Sequence, residues 1–267
     1  MRPLDFFRNH PVFRYEEFAD RHRAAGRSHR TTWSLLFKHV SAGNLINVRR
    51  GVYAVVPPGS KPDAVAIDPY LLCSRLVEDA VVAYHAALRF HGRAHSASRR
   101  YTYLTSHRLN PFDFKGDEFV PVLVPAPLRK LPDLGDGINT ERRQGLDLRV
   151  TSLERTLVDV MAAPQHGGGW EEIWRSLESV EYFDLEAVVA CAEKLGSAIA
   201  AARVGYYLEQ HREALMVEEE HLAPLEKLRP RQERYFDRGM TTGGTLVHRW
   251  NLIVPEQIAS RLWEEVA

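Results

Sequence analysis

The sequence predicts an α+β chain in two parts, a small N-terminal unit of three helices and a β-hairpin followed by a larger mixed α/β C-terminal domain. Three observations predict it. Apolar residues recur at helical spacing in short stretches before Gly43, β-branched residues then flank an Arg49-Arg50-Gly51 turn, and from Pro69 onward helix-like and strand-like stretches are mixed without an internal repeat.

The elements follow in order. Leu4 to Arg8 is a short apolar stretch ending before Pro11. Glu16 to Ala25 carries Phe18, His22 and Ala25 at helical spacing, with Gly26 as its stop. Ser28 is placed to cap a third helix that runs to about Ala42 and ends at Gly43-Asn44. Leu45 to Val56 reads as two strands around a turn in which Gly51 takes a positive φ. Residues 58–68 read as a linker, so the expected division is 1–57, then the linker, then 69–267. Beyond it, Pro69 to Leu76 and Ala80 to Phe90 read as helices, and Tyr101 to Thr105, Phe119 to Val124 and Leu146 to Val150 as strands. Helices dominate from Leu153 to about Leu215. Gly244 to Val254 is strand-like, and Pro255 opens a last helix.

Composition narrows the function classes. In 267 residues, 45% hydrophobic, there is enough apolar surface for a sizeable core, yet no apolar run approaches the roughly 20 residues that span a bilayer. The first residues lack the pattern of a secretory signal. Cys73 and Cys191 stand alone, which predicts free buried thiols in a reducing cytoplasm, with no metal and no cofactor site. Net charge is zero, but residues 1–56 hold ten basic side chains against four acidic, an excess of six that the remainder cancels. Nine of those ten are arginine, the side chain that pairs bidentately with phosphate and with guanine edges.

The third helix decides what that excess is for. Two apolar stripes fit it: Trp33, Leu36, Phe37 and Val40, or Leu35, Leu36, His39 and Val40. Either leaves Thr31, Ser34 and Lys38 outward, with Arg27, His29 and Arg30 at the helix start and Arg49 and Arg50 at the hairpin tip. Three helices and a hairpin in this order are the elements of a winged helix-turn-helix, in which the N-terminal residues of the recognition helix approach base edges in the major groove. The expected partner is double-stranded DNA, and the expected role that of a sequence-specific transcriptional regulator.

Leu36-Phe37-Lys38-His39-Val40 through Gly43-Asn44-Leu45, followed by Val48-Arg49-Arg50-Gly51-Val52-Tyr53, resembles the N-terminal domain of AbiEi antitoxins, the regulators of bacterial type IV toxin–antitoxin (abortive infection) operons. Val150 to Asp159 is similar to the family's central motif, and Gly167 to Trp170 and Arg203 to Leu208 fit downstream. The resemblance covers roughly residues 1–215. It implies a winged helix that represses its own operon through inverted repeats, and a C-terminal domain that counters a nucleotidyltransferase-like AbiEii toxin without forming a stable complex with it.

Other constellations have plainer readings. Thr151-x-x-Glu154 has capping-box spacing, and Arg155 and Asp159 pair at i, i+4, or else contribute to an active surface of the C-terminal domain. His85, His91 and His95 are interrupted by Gly92, which argues against a metal site. Glu218-Glu219-Glu220 reads as a solvated acidic run, and Gly167-Gly168-Gly169 lacks the lysine of a P-loop. No catalytic residue is singled out, so a non-enzymatic regulator is expected. The alternatives are a nucleic-acid-modifying or hydrolysing enzyme with a winged-helix targeting domain, and a stand-alone regulator without a toxin.

Overall fold

The computed structural model describes residues 3–239 and 243–260 as a mixed α/β chain. It divides into two compact units, and the division does not follow the boundary expected at residues 58–68. Unit 1 comprises Met1–Val82, Arg99–Pro121 and Thr140–Arg149; unit 2 comprises Ala83–Ser98, Val122–Asn139 and Val150–Ala267. The chain passes between the units several times, because strands distant in sequence share one sheet.

Unit 1 begins α1 (Pro3–Asn9), β1 (Val12–Arg14), α2 (Tyr15–Ala24), α3 (His29–Ser41), β2 (Leu45–Arg49) and β3 (Val52–Val55). β3 is central in a three-stranded sheet, antiparallel to both β1 and β2. Phe6, Phe7, Phe13, Phe18, Leu36, Leu45 and Tyr53 form its core, with Phe6 meeting Phe13 edge-on at 5.1 Å. Local chemistry sets the helix starts. The Glu17 carboxylate accepts from the Arg14 N–H at 2.6 Å, and Ser28 Oγ accepts from the Thr31 N–H at 3.2 Å, so each helix satisfies an otherwise orphaned donor.

The rest of unit 1 holds α4 (Pro69–Arg75) and most of a six-stranded sheet. Its strands are β4 (Val81–Val82), β5 (Arg100–Thr105), β6 (Phe112–Phe114), β7 (Asp117–Leu123), β8 (Ile138–Arg143) and β9 (Leu146–Thr151), in the order β6-β7-β5-β4-β9-β8. The segment expected to be a linker is held to this unit: Lys115 Nζ donates to the carbonyls of Pro62, Asp63 and Val65 at 2.8, 3.2 and 2.8 Å. Val81 and Val82, read from sequence as part of a helix, form β4 instead. Pairing with Leu104 and Tyr103 of β5 overrides the local pattern.

Unit 2 is mainly helical: α5 (His85–Phe90), α6 (Ala126–Arg129), α7 (Leu153–Ala162), α8 (Trp170–Glu178), α9 (Leu185–Leu195), α10 (Ala198–Gln210), α11 (Glu219–Leu228) and α12 (Glu256–Ala259). A second three-stranded sheet combines β10 (Arg234–Tyr235), β11 (Thr245–Val247) and β12 (Leu252–Val254), with β12 central. Part of the segment after residue 215, where the resemblance matches least, is locked into the core. A Cβ on Gly205 would lie 2.2 Å from the ring of Trp250, so α10 carries glycine where that buried indole crosses it. Trp250 Nε1 donates to Glu209 at 2.7 Å, and Arg249 pairs with Glu209, Glu219 and Glu226. Pro255 caps α12 from outside rather than opening it.

Candidate nucleic-acid interface

The two apolar stripes possible for α3 are resolved by burial. Leu36 and Thr32 are buried, and Leu35, His39 and Val40 are half-buried. Trp33 and Phe37 are 54% and 60% exposed and stack on each other at 5.6 Å, so the stripe that included them is not the core stripe. The reason is supply. Four phenylalanines and Tyr53 already fill the space under α3, and the helix needs only its Thr32–Leu36–Val40 edge to close it.

Arg27, His29, Arg30, Thr31, Ser34 and Lys38 are all exposed. Arg30, Ser34 and Lys38, four residues apart, make one ridge, and Trp33, Phe37 and Ser41 make the next. No carboxylate stands on α3. Thr31 is partly committed, since its Oγ1 lies 2.9 Å from Ser28 Oγ at the cap. Two histidines near this helix, the buried His22 and the half-buried His39, are shifted in the same direction. Burial, reinforced by Arg27, pushes His22 below the ordinary imidazole range, and burial with Lys38 does the same to His39.

The hairpin tip is different. β2 carries an extra residue at Val48, where the register shifts between Asn47 and Arg49. Such bulges re-aim side chains. Arg49 lies over the ring of Phe112 at 5.1 Å, beside the hydroxyl of Tyr103, which burial pushes far above its ordinary range. Arg49 is thus a packing residue of unit 1 and not a free cation at a wing tip. Arg50 is exposed, but it borders a cavity of 580 Å³ that also presents Glu16, Glu17, Asp20 and Glu78. The Gly51 carbonyl accepts from the Tyr15 N–H at 2.7 Å and ties the turn to α2. Of the cations expected at this interface, Arg27, Arg30 and Lys38 are exposed and do not line the acidic cavity that Arg50 borders.

In unit 2, Arg155 and Asp159 do not make a surface. They form a buried pair at 2.9 Å, with side chains 2% and 1% exposed. Arg155 also donates to the Asp136 carbonyl at 3.0 Å. Burial raises the Asp159 carboxyl against the pull of Arg155, while the guanidinium itself is raised by its partner. The helix they share is capped by Ser152, whose Oγ accepts from the Arg155 N–H, and not by Thr151, whose hydroxyl meets Thr156 at 2.7 Å. Of the three clustered histidines, His85 pairs with Glu172 at 2.9 Å, and His91 Nε2 meets the Thr151 carbonyl at 2.8 Å. The His95 backbone N–H donates to Ser176. Among the described residues no group of histidine, cysteine and carboxylate side chains converges as a metal site would require.

No family model matches the sequence, and no curated protein matches it. Among solved structures, the fold is similar to a crystal structure of the RV2827C protein from Mycobacterium tuberculosis. That match has a TM-score of 0.53 and 19% identity, over 96% of this chain and 90% of the other. At that identity the likeness concerns the fold alone.

Proposed function

We propose that the chain is a sequence-specific, double-stranded-DNA-binding protein whose residues 1–56 act as a winged helix-turn-helix with α3 as its recognition helix. The observation that carries the reading is the outward face of α3, where Arg30, Ser34 and Lys38 stand exposed beside Trp33 and Phe37 with no carboxylate on the helix. Arginine and lysine neutralise phosphates, serine bonds phosphates or base edges, and the aromatic ridge suits thymine methyl groups. The order helix, strand, helix, helix, hairpin supports the same reading. The Val48 bulge and the acidic cavity beside Arg50 give the hairpin a supporting part and leave base contacts to α3.

The resemblance of the 36–53 and 150–159 blocks to AbiEi antitoxins extends the proposal to a cytoplasmic, non-enzymatic repressor of its own operon. Unit 2 then acts against a nucleotidyltransferase-like AbiEii toxin. One winged helix covers one half-site, so inverted repeats take two copies. Fluorescence polarisation on the DNA upstream of the chain's own reading frame tests the first claim. Arg30→Ala with Lys38→Ala is expected to weaken binding by at least about tenfold and to reduce the slope of log K against log salt by about two. Unchanged binding would remove α3 as the reading head. Co-expression with the product of a neighbouring nucleotidyltransferase-like gene tests the second, with growth rescue as the expected outcome.

A further inference from the structure

Unit 2 contains a cavity of about 910 Å³, within the size range of small-molecule sites. One wall is the start of α10, Ser197 to Ile199; the others bring in Arg203, Arg231, Arg234, Tyr235 and Arg238. Arg203 is 6% exposed and held by carbonyl oxygens, donating to Met161 and Phe236 at 2.8 Å each. Arg155, the other buried arginine among the described residues of this unit, has Asp159 beside it. Among the described residues, Arg203 makes no ion pair with any carboxylate, and burial brings its pKa down to about 10. Asp237, the one carboxylate lining the cavity among the described residues, already accepts from Trp170 Nε1 and from the Gly239 N–H at 2.7 Å.

Among the described residues, four guanidinium groups therefore line one concave surface with a single, occupied carboxylate. Among the described residues, Arg231, Arg234 and Arg238 make no ion pair, and all three are exposed. The 13-residue α10, whose Ser197 cap takes up the Ala200 N–H, adds the remaining N–H groups of its first turn and the positive end of its dipole. Such an arrangement is complementary to a multiply charged phosphate chain. Tyr235, 40% exposed in the same wall, offers a ring face to a planar base.

We propose that this cavity binds a free nucleotide, its phosphates on Arg231, Arg234, Arg238 and the start of α10, and its base against Tyr235. Arg203 positions the 230–238 segment through the Phe236 carbonyl. The inference is independent of DNA binding by α3, which lies in the other unit.

Equilibrium dialysis of the full chain with ATP, tripolyphosphate and a short oligo(dT) tests it. ATP is expected to bind with a Kd below about 1 mM, and to weaken at least about tenfold in the triple variant Arg231→Ala, Arg234→Ala, Arg238→Ala. Tyr235→Ala is expected to weaken ATP about tenfold while leaving tripolyphosphate unchanged. The substituted side chains are exposed, and unchanged thermal melting verifies that the variants fold. Absence of ATP binding near 1 mM, or binding indifferent to the triple variant, overturns the site. Tripolyphosphate binding as tightly as ATP overturns the base contact. Oligo(dT) displacing ATP at lower concentration overturns a free nucleotide in favour of a strand.

Discussion

Arginine does opposite work on α3 and in the buried core of unit 2. On α3 and just before it, Arg27 and Arg30 stand exposed, available to a polyanion. In unit 2, Arg155 and Arg203 are almost wholly buried, tied to Asp159 and Asp136 in one case and to two backbone carbonyls in the other. A charge in water costs little to keep and is worth what its partner makes of it. A buried charge is costly to leave uncompensated, so the fold is built around it. The contrast teaches that an arginine count locates charge but not its use.

Substitutions can break or sharpen that contrast. Arg155→Met is expected to cost the most, about 3–5 kcal/mol by urea denaturation, because it strands the Asp159 carboxylate among apolar groups. Arg155→Met with Asp159→Leu should recover much of the loss. A single variant as stable as the parent would show that the pair is not what holds α7. Gly205→Ala is next, about 3 kcal/mol, since its methyl group collides with the buried Trp250 ring. A melting temperature within a degree of the parent's would show that the indole can move aside.

Glu172→Gln is smaller and depends on pH. Burial raises the Glu172 carboxyl, but hydrogen bonds from Ser96, His85 and Ser176 outweigh it and hold the group below its ordinary range. A lowered carboxyl pKa contributes stability that is whole above the unfolded value, about 4.3, and is lost as pH falls through the native value. The parent should therefore lose stability in acid more steeply than Glu172→Gln; parallel curves would contradict this. Arg49→Ala should cost about 1 kcal/mol through lost contact with Phe112. Arg50→Ala and Arg30→Ala, both exposed, should stay within about 0.5 kcal/mol of the parent. If Arg30→Ala unfolded the protein, α3 would be a buried structural helix and the contrast would fail.

The helix starts and stops of the first 56 residues were legible because their signals are local: Ser28 before α3, Gly26 and Gly43 after α2 and α3, and Gly51 in the turn. The outward position of Arg30, Ser34 and Lys38 was legible too, since both possible stripes exclude them. The choice between stripes was not, because Trp33 and Phe37 are as apolar as the residues that won. Only the number of phenylalanines already under the helix decides it. Nothing local marks Val48 as a bulge, so the assignment of Arg49 to the tip could not be corrected from sequence.

The sequence by itself determined the three early helices and the hairpin (though not β1 between the first two helices), the concentration of cations before residue 56 and the isolation of the two cysteines, because these depend on residue type and short spacing. The tertiary structure alone decided how the chain divides, since β4 and β5 pair across an intervening helix and no periodicity encodes that partner. It also decided which arginines are buried, and it gathered Arg203, Arg231, Arg234 and Arg238 around one cavity. The strand pairing and the placement of Arg203 beside the 231–238 segment join residues far apart in the chain, and in sequence such residues have no spacing to be read.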